Sequence, residues 1–177
     1  PIWTTRVGNV GNPDQNPPFA KARSTPTVDG DFIYALGSDG DLACLEASSG
    51  KIRWQKSLRK EFGGQPHEWA YAESPLVDGD VVVVTPGGAQ ATMVALNKKT
   101  GAVIWKMPFK PTKMPINVPD AVLDENGEHV FLTSFYDGSF YYKMKPGAAP
   151  PELLWQRHGI SERNTDALHC MIMTPLF

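Results

Sequence analysis

Leu45-Glu46-Ala47-Ser48-Ser49-Gly50-Lys51-Ile52-Arg53-Trp54 and Leu96-Asn97-Lys98-Lys99-Thr100-Gly101-Ala102-Val103-Ile104-Trp105 are one pattern written twice. In both, a Ser/Thr-Gly pair stands four residues before a tryptophan. Working outward, tryptophans recur at Trp3, Trp54, Trp105 and Trp155, with separations of 51, 51 and 50 residues. Upstream, Thr25-Pro26-Thr27-Val28-Asp29-Gly30-Asp31 matches Ser74-Pro75-Leu76-Val77-Asp78-Gly79-Asp80. A third, weaker copy reads Ala121-Val122-Leu123-Asp124-Glu125-Asn126-Gly127, then Tyr136-Asp137-Gly138, then Leu153-Leu154-Trp155. A fourth opens at Thr174-Pro175-Leu176. Self-similarity at a fixed period of this size is the mark of a repeat architecture.

Within each period, short β-rich runs alternate with turn pairs. The first copy predicts strands over Thr25–Val28, Phe32–Leu36, Leu42–Glu46 and Ile52–Ser57. The second predicts Pro75–Val77, Val81–Thr85, Met93–Asn97 and Val103–Lys106. The joints Asp29-Gly30, Asp39-Gly40 and Ser49-Gly50 accept the positive φ of tight hairpins. Four antiparallel strands per ~50 residues form one blade of a β-propeller. The expected fold is therefore all-β, with blades over about 24–57, 74–107 and 118–157 and partial blades at 1–5 and 172–177. The periodic tryptophans Trp3, Trp54, Trp105 and Trp155 then have a structural task. Each wedges one blade against its neighbour and bonds its indole N–H there.

Composition agrees and excludes several classes. Sixteen glycines and sixteen prolines in 177 residues are too many helix breakers for a helical protein. A net charge of −2 gives no electrostatic case for nucleic acid or an anionic membrane. Apolar content of 41% is enough for a core, yet no apolar run approaches the ~20 residues of a membrane span. Walker, Gly-x-Ser-x-Gly and His-Glu-x-x-His motifs are absent from the sequence.

The pattern Leu-Asp/Asn-x-x-Thr/Ser-Gly-x-x-x-Trp, preceded by Ser/Thr-Pro-x-Val-x-Gly-Asp and Gly-x-Asp-Gly, resembles the repeat of PQQ-like (quinoprotein alcohol dehydrogenase-like) β-propellers. The resemblance implies a ring of about seven or eight blades, so this chain is expected to form three to three and a half of them. It also implies a periplasmic or secreted location. Remaining blades of the same polypeptide, or a second copy, are the implied partners, with a protein partner on the long-loop face. A fragment or shortened piece is the favoured expectation, and closure by a second copy the alternative.

Function is expected on the long crossings from one blade to the next: Thr4–Thr25, Gln55–Ser74 and Gln156–Thr174, with Lys106–Val118 shorter. Loops of this length without structure of their own tend to be functional or disordered. In the second crossing, His67, Trp69, Tyr71 and Glu73 could form an aromatic and acidic patch, but Trp69 as a lid on the top of a blade and Glu73 as a solvated carboxylate are the plainer readings. In the third, Asn164, Asp166 and His169 accompany His158 and Cys170, but no pair has a recognised metal-ligand spacing. Loop hydrogen bonding by Asn164 and Asp166 is the plainer reading. No residue stands out as catalytic or as a metal ligand.

Quinoprotein dehydrogenases of the resembled fold seat PQQ on an aromatic floor with Ca²⁺ held by oxygen ligands, and the alcohol-oxidising branch adds a vicinal disulfide. Here the two cysteines, Cys44 and Cys170, are far apart in sequence. The expectation is a binding or assembly scaffold without a cofactor. The alternative is part of a PQQ- and Ca²⁺-dependent dehydrogenase of alcohols or polyols, similar to polyvinyl-alcohol dehydrogenases.

Overall fold

Alternation decides which side of each strand is buried. In Phe32–Leu36, Tyr34 and Leu36 point one way; they pair across the sheet with Cys44 and Leu42, and all four are buried. The computed structural model describes residues 2–11, 23–65, 70–108, 122–134, 136–145, 149–158 and 163–168. These fall in two compact units, 1–109 and 110–177.

The first unit holds two four-stranded antiparallel sheets, each in simple sequence order. Blade one is β1 (Thr27–Asp29), β2 (Phe32–Leu36), β3 (Asp41–Glu46) and β4 (Ile52–Ser57). Blade two is β5 (Leu76–Asp78), β6 (Val81–Val84), β7 (Met93–Asn97) and β8 (Val103–Met107). A short helix, α1 (Leu58–Phe62), follows β4. The second unit contains blade three: β9 (Val122–Leu123), β10 (His129–Ser134), β11 (Gly138–Lys143) and β12 (Glu152–Arg157).

The core of the first unit lies between its two sheets. Tyr34, Leu36, Leu42 and Cys44 of blade one meet Val82, Val84, Val94 and Leu96 of blade two, with Leu58, Phe62 and Tyr71 closing one end. Cys44 is fully buried in β3 as a free thiol.

A repeated clamp joins successive elements. Trp3 Nε1 donates to Ala47 O at 2.9 Å, and Trp54 Nε1 donates to Lys98 O at 2.9 Å. The accepting turn closes itself first, by Gly50 N to Glu46 O and Gly101 N to Asn97 O, each 2.8 Å. Gly50 and Gly101 both have φ of 70°. Their bare Cα atoms lie against the indoles of Trp3 and Trp54. The Ser/Thr-Gly spelling therefore serves two needs at one position, positive φ and room for the ring. Tyr34 Oη also donates to Lys98 O, at 3.1 Å. Lys98 Nζ meets Asp29 Oδ2 at 2.7 Å, tying the same turn back to blade one.

Strand limits depart from the sequence expectation where side chains or prolines take over a ladder position. β1 and β5 begin just after Pro26 and Pro75, which have no N–H to give. Thr27 Oγ1 donates to Pro75 O, and Thr25 N to Ser74 Oγ, so the two inner strands are stitched at this level. β6 ends at Val84 because the Thr85 N–H is taken by Glu73 Oε1 at 2.8 Å. Each blade also carries a bulge before its tryptophan, which leaves Arg53, Ile104 and Leu154 out of register.

Candidate functional site

The Gln55–Ser74 crossing is not structureless. Ser57 caps α1, its Oγ accepting from Lys60 N at 3.3 Å, while Glu61 Oε1 accepts the Ser57 N–H at 2.9 Å. Gly63 ends the helix in the left-handed region, with its N–H returned to Leu58 O. This turn lies over the Gly37–Gly40 hairpin end, because Leu58 N donates to Gly40 O at 2.8 Å. From the other side the Arg6–Gly11 arm reaches the same hairpin. Asn9 N donates to Asp41 Oδ2 at 3.0 Å and Gly11 N to Ser38 Oγ at 2.9 Å.

Between arm and helix lies a cleft of about 480 Å³, lined by Asn9, Asp39, Asp41, Arg59, Lys60 and Gln65 among others. Arg59 pairs with Asp39 across its floor. The Lys60 ammonium and the Gln65 amide make no hydrogen bond to other described residues. The lining carries both charges and no aromatic ring.

The expected site residues are placed separately. Tyr71 is buried; its N–H donates to Ser38 O at 3.1 Å and its Oη to Pro86 O at 2.8 Å. Burial, reinforced by the Glu73 charge, pushes its phenol pKa well up. Glu73 gives both carboxylate oxygens to Thr85, one to its N–H and one to its hydroxyl. Burial of this carboxyl raises its pKa, while the two Thr85 bonds pull the other way. Both side chains thus fasten the crossing to the end of β6 in blade two. His67 and Trp69 lie outside the described residues.

In the second unit, Asp166 is exposed and meets Arg157 Nη1 at 3.2 Å. Asn164 is exposed too. The segment is held on blade three through Leu168, whose carbonyl accepts from Thr133 Oγ1 at 2.9 Å and Ser139 Oγ at 2.8 Å. His169 and Cys170 lie outside the described residues. Trp105 is buried, whereas Trp155 is 40% exposed and stacks on Tyr141 at 5.4 Å between ring centres.

The cleft residues were not anticipated, since they come from three separate stretches and Asp39-Gly40-Asp41 reads as turn chemistry alone. The signal for α1 was present: Ser57 at a cap position, Glu61 in the first turn and Gly63 as a stop.

A family model of PQQ-like repeats, described as outer membrane protein assembly factor BamB, matches residues 1–169. The chain belongs to this family. Among curated relatives, the PQQ-like repeats here are similar to the quinoprotein alcohol dehydrogenase PedH of Pseudomonas putida. That match is 27% identical over 160 residues and covers 89% of this chain and 25% of the relative. They are also similar to the outer membrane protein assembly factor BamB of Moranella endobia. There the identity is 22% over 152 residues, covering 84% of this chain and 36% of the relative. The chain thus spans between a quarter and about a third of these relatives. The solved structure of BamB from Moraxella catarrhalis superposes with a TM-score of 0.54 at 16% identity, covering 76% of this chain and 36% of that one. At that identity the likeness shows the fold alone, a β-propeller built of four-stranded blades. Among the described residues, no helix is long and apolar enough to cross a membrane.

Proposed function

We propose that this PQQ-like repeat chain is a segment of a non-catalytic propeller, an extracytoplasmic scaffold that binds protein through its loop face. One observation carries this reading. Among the described residues of the second crossing, Tyr71 and Glu73 are spent on structure, Tyr71 on Pro86 and Glu73 on Thr85. What remains open beside them is a mixed-charge polar cleft. Such a surface suits charged and amide groups of a protein partner, whereas a planar quinone needs a flat face on which to stack. Similarity to outer membrane protein assembly factors supports a periplasmic setting and protein partners.

Among the described residues, no three of His, Cys, Asp and Glu come together, and the cleft lining has no ring on which a quinone could lie. The second reading, part of a PQQ-dependent alcohol dehydrogenase, is favoured by the likeness to PedH along 89% of the chain. One pair of experiments separates the two. A photo-crosslinking residue placed at Gln65 or Lys60 in living cells should capture a protein. Calorimetric and absorbance titration with PQQ and Ca²⁺ should stay flat, with no dye-linked alcohol oxidation. Saturable PQQ binding with alcohol turnover, and no protein crosslink, would overturn the scaffold reading.

A further inference from the structure

Charge pairing around α1 is complete except at one place. Lys56 Nζ meets Glu61 Oε2 at 2.8 Å, and Glu61 Oε1 also accepts the Ser57 N–H. Arg59 pairs with Asp39 on the cleft floor, and Asp41 Oδ2 takes the Asn9 N–H at 3.0 Å. Lys60 precedes Glu61 on the helix, is exposed, and has no acid left to it. Among the described residues that line the cleft, it is the one charged side chain without a partner.

The polar groups beside Lys60 have hydrogens to spare. Asn9 Oδ1 accepts from Arg6 Nη2 at 3.3 Å, which leaves the Nδ2 hydrogens unspent. Ser57 Oγ accepts from Lys60 N and keeps its own hydrogen. Arg59 commits Nη1 to Asp39 and has further N–H groups to offer. Against these donors stand one spare oxygen each of Asp39 and Asp41 and the Gln65 amide. Both walls are held before anything enters. Asn9 and Gly11 pin the arm, and the helix wall turns at Gly64, where a Cβ would lie 2.7 Å from Pro86 O.

We propose that the cleft receives an extended acidic segment of a partner polypeptide, with one Asp or Glu carboxylate seated on Lys60 and Arg59. Asn9 and Gln65 meet the main-chain amides on either side of that carboxylate. The inference rests on the protein-binding reading above and adds the chemistry of the segment. A carboxylate supplies both the negative charge and the acceptor oxygens that the lining lacks. Asp39 is neutralised by Arg59, whereas Asp41 stays negative on the arm side. The acid of the segment therefore belongs on the helix side, and a second acid toward the arm is disfavoured. Walls already in place lower the ordering cost of binding. Because Lys60 is exposed, the charge pair contributes a modest factor and weakens with salt.

The test selects a displayed library of random linear peptides on the full chain. Enriched peptides should share an Asp or Glu, and a benzophenone-bearing copy should label residues 59–65. Changing that acid to its amide, or Lys60→Gln in the protein, should each weaken binding by about two- to fivefold. The two changes together should cost no more than either alone. Lys60→Glu should restore binding to a peptide carrying Lys in place of the acid. Lys51→Gln, exposed and outside the cleft, should leave binding unchanged. Lys60 holds no partner through its side chain, so these variants keep the fold, which unfolding curves check. Peptides that label residues 59–65 without an acid, or that bind wild type and Lys60→Gln equally, overturn the inference and leave the scaffold reading standing. A library that yields no peptide labelling this segment overturns both.

Discussion

Replacing Gly101 by alanine tests whether the glycine of the repeat is there for the backbone, for the ring, or for both. Gly101 has φ of 70°, and a Cβ there would lie 2.8 Å from Trp54 Cδ2 and 2.9 Å from Cε3. Gly79 is the matched control, with φ of 51° and nothing within 4 Å of the same Cβ. Both variants meet the left-handed penalty of about 1–2 kcal/mol. Both recover about 0.4–1 kcal/mol from a stiffer unfolded chain. Gly79→Ala should thus cost no more than about 1.5 kcal/mol. Gly101→Ala must also push an indole whose Nε1 is tethered to Lys98 O, and overpacking of this kind adds about 1–3 kcal/mol. Urea unfolding of both variants, repeated in a Trp54→Leu background, isolates the ring term as a coupling energy. The Gly101→Ala excess should be at least about 1 kcal/mol and should vanish without Trp54. Equal costs for the two glycines, or an excess that survives loss of the indole, would refute the double role.

Three further outcomes follow from the loop face. Tyr71→Phe removes the bond to Pro86 O and should destabilise by about 1–2 kcal/mol in urea unfolding, since a buried carbonyl loses its donor. Glu73→Gln should flatten part of the pH dependence. A carboxyl whose folded pKa stands above its ordinary 4.5 contributes most below that value and loses the contribution as pH rises through the folded pKa. The wild-type minus Glu73→Gln stability difference, followed by thermal melts from pH 4 to 8, should therefore fall with rising pH; a rising difference would contradict the burial of Glu73. Arg157→Ala should move the melting midpoint by less than about 2 °C, because its pair with Asp166 is exposed on both sides.

The blade unit was readable because its signals are local and repeated. The Ser/Thr-Gly-x-x-x-Trp spacing records a turn closed within five residues and an indole held against that type of turn, so it recurs wherever the clamp recurs. Tyr71 and Glu73 were found as loop residues near the inner strand, but their partners Pro86 and Thr85 are 15 and 12 residues away. Nothing in the spacing distinguishes a ligand contact from a staple at that range. The cleft was hidden for a related reason. Asn9, Asp41 and Arg59 become neighbours only once the arm and α1 settle on the same hairpin end.

The clamp also sets a timetable. The indoles of Trp3 and Trp54 each reach forward to a carbonyl 44 residues later in the chain, while the accepting turn is closed by its own blade's strands. A blade emerging during synthesis thus has its donor ring ready before the acceptor exists. At about 5–20 residues per second, Trp54 and the apolar face of Tyr34 and Cys44 wait roughly 2–9 s for the Lys98 turn. During each such interval the newest blade presents an uncovered aromatic face, and the order of assembly runs one way, from the amino-terminal side onward.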